Sequence, residues 1–193
     1  PRSGGRQFPT NLLITLVGAL LAASVVLPAF GQNFSFQREL ETPETVSIVV
    51  RNRDGRVSVI ASEEQQKKVT IEGRSAGLPV DPADITAEAK GGNIQIDVRS
   101  RRERDRIDVV VRIPLRSKVE VESDAGAVDV VGNVESATVT TDTGTIHADI
   151  PLDAVKLDFT WAASKPRYMS DVELPEVKEK AGGVFRISGK LGD

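Results

Sequence analysis

The sequence predicts an all-β protein. A right-handed β-helix, a β-solenoid-like stack of coils, is the first choice and a β-sandwich is the alternative. After residue 31, apolar and polar residues alternate with the strand period of two, and Val, Ile and Thr dominate. No amphipathic helix pattern appears there, and one strand-turn-strand phrase recurs after 18 residues. Both folds combine alternation with frequent turns, so the β-sandwich stays open.

Residues 1–31 have the pattern of a secretory signal helix. Arg2 and Arg6 precede an apolar run over residues 12–27, and Ala29 and Gly31 supply the small side chains that a signal peptidase needs. We expect cleavage after Gly31, with an uncleaved N-terminal anchor over residues 12–28 as the alternative. Cleavage would leave 23 basic and 28 acidic residues, a net charge of −5. The protein is therefore expected to be exported across the inner membrane and to be periplasmic, envelope-associated or extracellular.

The composition excludes several classes of site. The chain has no Cys and one His, so thiol catalysis and multi-histidine metal sites are excluded. A net charge of −3 argues against nucleic-acid binding. His147 lies two residues from Asp149, but no nucleophile elbow accompanies it, so we interpret it as a surface residue. Asp124 and Asp142 are interpreted as turn residues rather than calcium ligands. We predict no catalytic residue, metal or cofactor.

The repeat is clearest in residues 119–130 and 137–148. A unit of this size cannot bury its apolar face alone, so it is expected to stack on its neighbours. An Asp or Asn with a following glycine would bend the chain between strands. Residues 48–59, 85–96 and 183–187 look like degenerate copies of the same phrase. A shift of 18 positions matches Val119 with Ala137, Val121 with Val139, Ser123 with Thr141, Asp124 with Asp142, Gly126 with Gly144, Val128 with Ile146 and Val130 with Ala148.

The repeat also carries a resemblance to a family. Ile113-Pro114 precedes two Ser/Thr-x-x-Gly-x-Val/Ile phrases, at Ser123 and Thr141. With this pattern, residues 44–158 resemble the bacterial putative adhesin family, exported β-solenoid domains of unknown function. The resemblance implies a right-handed β-helix and an envelope location, and it brings no catalytic residues. The pattern stops after Leu157, so we expect one domain over residues 32–193 with an irregular segment at 159–193.

Two features are candidate binding sites. An arginine-rich loop at residues 99–106 could grip an anionic lipid headgroup or acidic polysaccharide, although Glu103 and Asp105 favour a self-neutralised hairpin tip. An aromatic cluster near the C-terminus could be a docking patch, although a cap over the end of the coil stack is favoured. The residues are Arg99, Arg101, Arg102, Arg104 and Arg106 in the loop and Phe159, Trp161 and Tyr168 in the cluster.

These observations predict an exported, non-enzymatic structural, adhesive or binding module of the bacterial cell envelope. An accessory sensing or scaffold domain of a longer envelope protein is one alternative, and a glycan-active envelope enzyme that uses Trp161 as a platform is another. We expect an envelope protein or polysaccharide as partner and no nucleic acid. Membrane contact is expected only through residues 12–28, if they are not removed.

Overall fold

The computed structural model describes residues 35–76, 79–100, 106–174, 176–180 and 182–192, and the predicted signal segment lies outside them. Residues 32–193 form one compact unit. Among the described residues, its regular elements are strands and two 3₁₀ turns, at Glu63–Gln65 and Pro82–Asp84. The strands are β1 (Ser35–Glu41), β2 (Ser47–Asp54), β3 (Val57–Ala61), β4 (Lys68–Ser75), β5 (Ile85–Lys90), β6 (Asn93–Val98), β7 (Ile107–Ile113), β8 (Lys118–Ala125), β9 (Ala127–Val131), β10 (Ser136–Thr141), β11 (Thr145–Asp149), β12 (Val155–Trp161), β13 (Val177–Lys180) and β14 (Val184–Leu191).

The strands form two open, mixed sheets, which confirms the all-β prediction. The smaller sheet has the order β1-β4-β7-β3-β9-β11, and the larger sheet has the order β13-β14-β12-β10-β8-β2-β6-β5. Alternate residues of both sheets contribute to a single hydrophobic core of mainly Val and Ile. Val121 and Val130, one from each sheet, are 0% exposed. Full burial of such a side chain stabilises a fold by about 1.5–3 kcal/mol.

Parallel strands in both sheets carry the 18-residue repeat. β10 lies beside β8 with Ala137 opposite Val119, and β11 lies beside β9 with Ile146 opposite Val128. The chain passes from the larger to the smaller sheet at each glycine turn, so β8–β9 and β10–β11 are successive layers. β2–β3 forms a third layer on the other side of β8–β9. β2 lies beside β8, and β3 lies beside β9 with Val57 opposite Val128.

The spatial order of the strands differs from their order in the chain. The pair β2–β3 lies between β6–β7 and β8–β9 in both sheets. Antiparallel strands flank the parallel ones: β1 and β4 on the smaller sheet, β5 at one edge of the larger sheet, and β14 and β13 at its other edge. The described residues therefore form a mixed, sandwich-like pair of sheets, and the continuous right-handed β-helix stays a prediction.

Three local predictions are wrong. Residues 85–96 form an antiparallel hairpin of β5 and β6 rather than a coil corner. The last copy of the phrase, at residues 183–187, belongs to another hairpin, β13–β14. Residues 159–193 are not irregular throughout, because they contain the end of β12 and both strands of that hairpin. In each case antiparallel pairing forms a strand at or near an edge of the larger sheet.

The glycines of the parallel layers lie one above the other. A Cβ atom at Gly126 would overlap the carbonyl oxygen of Gly55, and one at Gly144 would overlap the carbonyl oxygen of Gly126. Gly126 also has a φ of +119°, which side-chain-bearing residues rarely adopt. The layers can approach to strand-pairing distance at this corner only because these positions have no side chain.

Candidate binding surfaces

The outer face of the larger sheet is polar, and strand register arranges its residues in rows that cross the strands. One row contains four exposed lysines, separated only by Ser and Asn positions. We call these four residues the lysine row. Opposed positions connect them in the order Lys90, Asn93, Ser47, Lys118, Ser136, Lys156 and Lys190. Seven strands about 4.8 Å apart make this row about 29 Å long.

The lysine row is weakly neutralised by its surroundings. Lys118 Nζ lies 3.5 Å from Glu135 Oε1, and both side chains are more than two-fifths exposed. In the described part of the chain, Lys90, Lys156 and Lys190 form no ion pair. An exposed pair such as Lys118–Glu135 contributes at most about 1 kcal/mol, so an incoming anion can displace it.

Two more rows lie beside the lysine row on the same outer face. The nearer row is acidic, and the row beyond it contains both acidic and basic residues. Glu88, Glu120 and Asp158 each lie two residues from a lysine of the row on the same strand, about 7 Å from the lysine row. Asp158 is held by Arg186, whose Nε donates to Asp158 Oδ1 at 2.7 Å. The hydrogen bond and charge of Asp158 raise the pKa of Arg186 above its usual value. The acidic row is therefore only partly neutralised, and it limits the cationic surface to a narrow line.

The mixed row contains a second arginine-centred pair. Arg51 Nε donates to Glu122 Oε2 at 2.9 Å, and Arg51 Nη1 lies 3.9 Å from Asp97 Oδ1. The hydrogen bond to Glu122 and its charge raise the pKa of Arg51. These pairs connect three neighbouring strands on their outer face and leave little free charge there.

His147 lies on the outer face of the smaller sheet, and its close partner is Asp129 rather than Asp149. His147 Nδ1 is 3.6 Å from Asp129 Oδ1, while Asp129 Oδ2 accepts a hydrogen bond from Ser58 Oγ at 3.0 Å. Arg56 Nε lies 3.5 Å from the same carboxylate oxygen. In a Ser-His-Asp triad the imidazole lies between serine and carboxylate. Here the carboxylate is central, so the serine proton points away from the histidine.

The arginine-rich loop is described only at its two ends. Arg99 follows β6, Arg106 precedes β7, and both are exposed. The Arg99 backbone N–H donates to the carbonyl oxygen of Asp84 at 2.8 Å, which anchors that end of the loop. Arg101, Arg102 and Arg104 lie outside the described residues, so their part in an anionic-partner site stays a prediction.

The aromatic cluster is mostly buried. Phe159 and Trp161 are 7% and 4% exposed, because they lie on the inner face of β12. Trp161 Nε1 donates to the carbonyl oxygen of Gly144 at 3.0 Å, and its ring meets Phe185 edge-on with 6.0 Å between centroids. The Tyr168 ring also packs on Phe185, with 5.8 Å between centroids, and Tyr168 is 53% exposed. Only Tyr168 is therefore accessible to a partner.

One open cleft of about 360 Å³ lies beside the first 3₁₀ turn, between Lys67 and the Pro114-Leu115 segment. Asp124 and Asp142 are exposed corner residues. Across the described ranges, no three His, Asp or Glu side chains are grouped so that they could hold a metal ion. No helix among those residues has the length and hydrophobicity to cross a membrane.

Sequence reasoning missed the lysine row because its members are far apart in the chain. One signal could have found part of it. Lys118 immediately precedes Val119, the first residue of the repeat, and Lys156 immediately precedes Leu157 in the strand that continues the stacking. Lys90 and Lys190 join the row through antiparallel strands, whose register the repeat does not contain.

Comparison with known proteins found no matching family model and no matching curated protein. Solved structures do match. A putative cell adhesion protein from Clostridium sporogenes has 10% identity and a TM-score of 0.44, covering 79% of this chain and 86% of its own. A putative adhesin from Bacteroides fragilis has 12% identity and a TM-score of 0.35, covering 62% of each chain. A putative lipid binding protein from Parabacteroides distasonis has 15% identity and a TM-score of 0.34, covering 66% of this chain and 63% of its own.

Proposed function

We propose that this protein is an exported, non-enzymatic binding module of the bacterial cell envelope, and that its lysine row binds an acidic polysaccharide. The signal pattern of residues 1–31 supports export. We also propose that the layers β2–β3, β8–β9 and β10–β11 are coils of a right-handed β-solenoid, which makes the outer face rigid. The observation that carries the binding role is the line of Lys90, Lys118, Lys156 and Lys190 along one register row.

The shape of the charge favours a linear polymer over a membrane. A flat anionic membrane would meet the lysine row and the adjacent acidic row of Glu88, Glu120 and Asp158 together. The attraction of the membrane by the lysines and its repulsion by the acidic residues would largely cancel. The two rows are about 7 Å apart, which is shorter than the Debye length of about 8 Å at physiological salt. A single polysaccharide chain can follow the lysines and avoid the acids. Its charges would then meet lysines roughly 5, 10 and 14 Å apart.

The outer-face chemistry supports a binding role rather than catalysis. The hydroxyl of Ser58 donates to Asp129 and not to His147, so the lone imidazole does not activate it. A glycan-active enzyme with Trp161 as its platform would need that ring exposed, but the ring is buried. The proposed ligand is therefore held by charge and is not turned over.

Titration of purified residues 32–193 with alginate, a polyuronate, tests this proposal. This unit contains every described strand and the whole core. Because the net charge of the unit is negative, binding should depend on the local lysine row and weaken as salt screens it. A Lys118→Ser, Lys156→Ser and Lys190→Ser triple variant should weaken binding about tenfold or more, since three of its four cations are lost.

The control is an equal charge change elsewhere. Lys165→Ser, Lys178→Ser and Lys180→Ser remove three exposed lysines outside the row, and this triple variant should bind alginate within about twofold of the parent. Neutral dextran should not bind. Equal weakening by both triple variants, or no alginate binding at low salt, would contradict the proposal. Vesicles containing phosphatidylglycerol form the last arm, and row-dependent binding to them instead of alginate would reassign the ligand to lipid.

A further inference from the structure

The smaller sheet ends at β11, although the larger sheet continues past the same layer with β12, β14 and β13. β11 pairs with β9 on one side, and no strand of the described chain pairs with its other side. Its residues are exposed except for Ile146, which is partly buried against the core. An unpaired strand edge is a template for a further strand.

The hydrogen bonds to β9 show which backbone groups of β11 remain available. Thr145 N–H donates to the Gly126 carbonyl oxygen at 3.0 Å, and the Asp149 carbonyl oxygen accepts from Gly132 N–H at 2.9 Å. In a parallel pair, alternate residues bond to the same neighbour, so residues 145, 147 and 149 face β9. The N–H and C=O groups of Ile146 and Ala148 therefore point to the open edge.

The chain begins a further layer next to β11 and then leaves it. Ala162 N–H donates to the Thr141 carbonyl oxygen at 2.8 Å, and Ala163 N–H donates to the Asp142 carbonyl oxygen at 3.1 Å. β12 is aligned with β10 at a shift of 20 residues, so a further strand would place Pro166 opposite Ile146. Proline has no N–H group and cannot donate to such a ladder. No strand forms over residues 162–174, and the edge stays open.

We propose that a second copy of this chain pairs with this edge, β11 to β11, antiparallel and centred on Ala148. A two-fold contact of this kind uses the same surface on both copies. Ala148 would exchange two backbone hydrogen bonds with Ala148 of the second copy. His147 would lie opposite Asp149 of the second copy, and the symmetry produces this complementary pair twice. Ile146 would approach Ile150 of the second copy, so the apolar side chains also match.

Side-chain complementarity, an imidazole donor opposite a carboxylate acceptor, selects this register among those that the open groups permit. A register centred on His147 would place the two imidazoles against each other and leave Asp149 opposite Thr145. The register centred on Ala148 pairs each histidine with a carboxylate instead. The dimer would join the two smaller sheets edge to edge and would carry two lysine rows, so one assembly could hold a polymer at two places.

Sedimentation velocity of residues 32–193 over a range of concentrations tests the dimer. The contact is a single strand pair, smaller than a standard stable interface, so we expect a weak dimer whose population rises with protein concentration. His147→Glu would place two carboxylates opposite each other, and Asp149→Lys would remove the carboxylate that faces the imidazole, so each should keep the protein monomeric. The His147→Glu/Asp149→Lys double variant should dimerise again, since it places a carboxylate opposite an ammonium group twice.

Ala148→Pro supplies a second, independent test. It removes an N–H group that points to the open edge and is not used by β9, so the fold should persist while the dimer is lost. Thermal unfolding of every variant is the control that checks whether each one is folded. A wild-type protein that stays monomeric at the highest concentration would overturn the proposal. So would a dimer that survives all three single substitutions, or a double variant that does not recover.

Discussion

Two kinds of glycine turn in this protein arise from almost the same sequence phrase. At Gly55, Gly126 and Gly144 the chain crosses from the larger to the smaller sheet, whereas at Gly92 and Gly183 it reverses within one sheet. The residue three positions earlier separates the two kinds of turn. It is buried and polar at the crossings, as Asn52, Ser123 and Thr141. At the hairpins it is Ala89 or Lys180, and both are exposed.

The buried polar residue is useful at a crossing because its side chain bonds a backbone group at or beside the corner. Thr141 Oγ1 accepts a hydrogen bond from Gly144 N–H at 2.9 Å, and Asn52 Nδ2 donates to the Ile107 carbonyl oxygen at 3.1 Å. A hairpin needs no such side chain, because its strands satisfy each other up to the turn. A polar residue together with a closely packed glycine therefore marks the crossing between sheets.

We expect the largest difference between a crossing and a hairpin when Gly126→Ala is compared with Gly182→Ala. At Gly126 a Cβ would overlap the Gly55 carbonyl oxygen and would also need a φ of +119°. We expect a loss of about 4 kcal/mol in the free energy of unfolding, from overpacking and backbone strain together. Gly182 also has a positive φ, of +93°, but no atom lies within 4 Å of its Cβ position. Its replacement should cost only about 1 kcal/mol.

Urea unfolding of residues 32–193 measures both variants. Two similar losses would mean that backbone conformation alone sets the cost, and that the close approach of the layers at Gly126 contributes nothing. A Gly126→Ala protein that does not fold would mean a loss of more than about 5 kcal/mol, the lower end of the usual stability of a domain, and so a larger cost than expected in the same direction.

The sequence predicts the parallel layers well and their surroundings poorly. Alternation over Val119 and Val121 predicts the buried face, and the 18-residue shift matches the register of β10 on β8. The sequence pattern does not predict that β2–β3 lies between β6–β7 and β8–β9. Nearly every strand offers the same Val and Ile face, so local pattern does not distinguish one neighbour from another. The lysine row depends on that order and on the register of the antiparallel strands. Local pattern determines neither, so the sequence did not predict the row.

The second test removes the buried hydroxyl of one crossing. Thr141→Val keeps the shape of the side chain but leaves the Gly144 N–H without its acceptor, in a place where Thr141 is 0% exposed. We expect a loss of about 1–2 kcal/mol in the free energy of unfolding, the cost of an unsatisfied, partly buried donor. Thr140→Val is the matched control on the outer face and should change stability by less than about 0.5 kcal/mol. Equal effects in urea unfolding would show that the hydroxyl does not define the crossing.

The smallest expected effect lies at the β5–β6 hairpin. Gly91 and Gly92 have φ values of +57° and +86°, the conformation of a two-residue type I′ turn. Asn tolerates this conformation and is preferred at the first of the two positions, and no atom lies within 4 Å of a Cβ at Gly91. Gly91→Asn should therefore leave stability unchanged or raise it by about 0.5 kcal/mol, because the unfolded chain loses freedom. A loss above about 1 kcal/mol in the same urea experiment would show that this turn, like the crossings, needs glycine itself. A Gly-Gly pair between alternating strands is a hairpin signal in the sequence, so this turn is the one most easily distinguished from a crossing. Such a loss would mean that crossing and hairpin glycines do not differ even here.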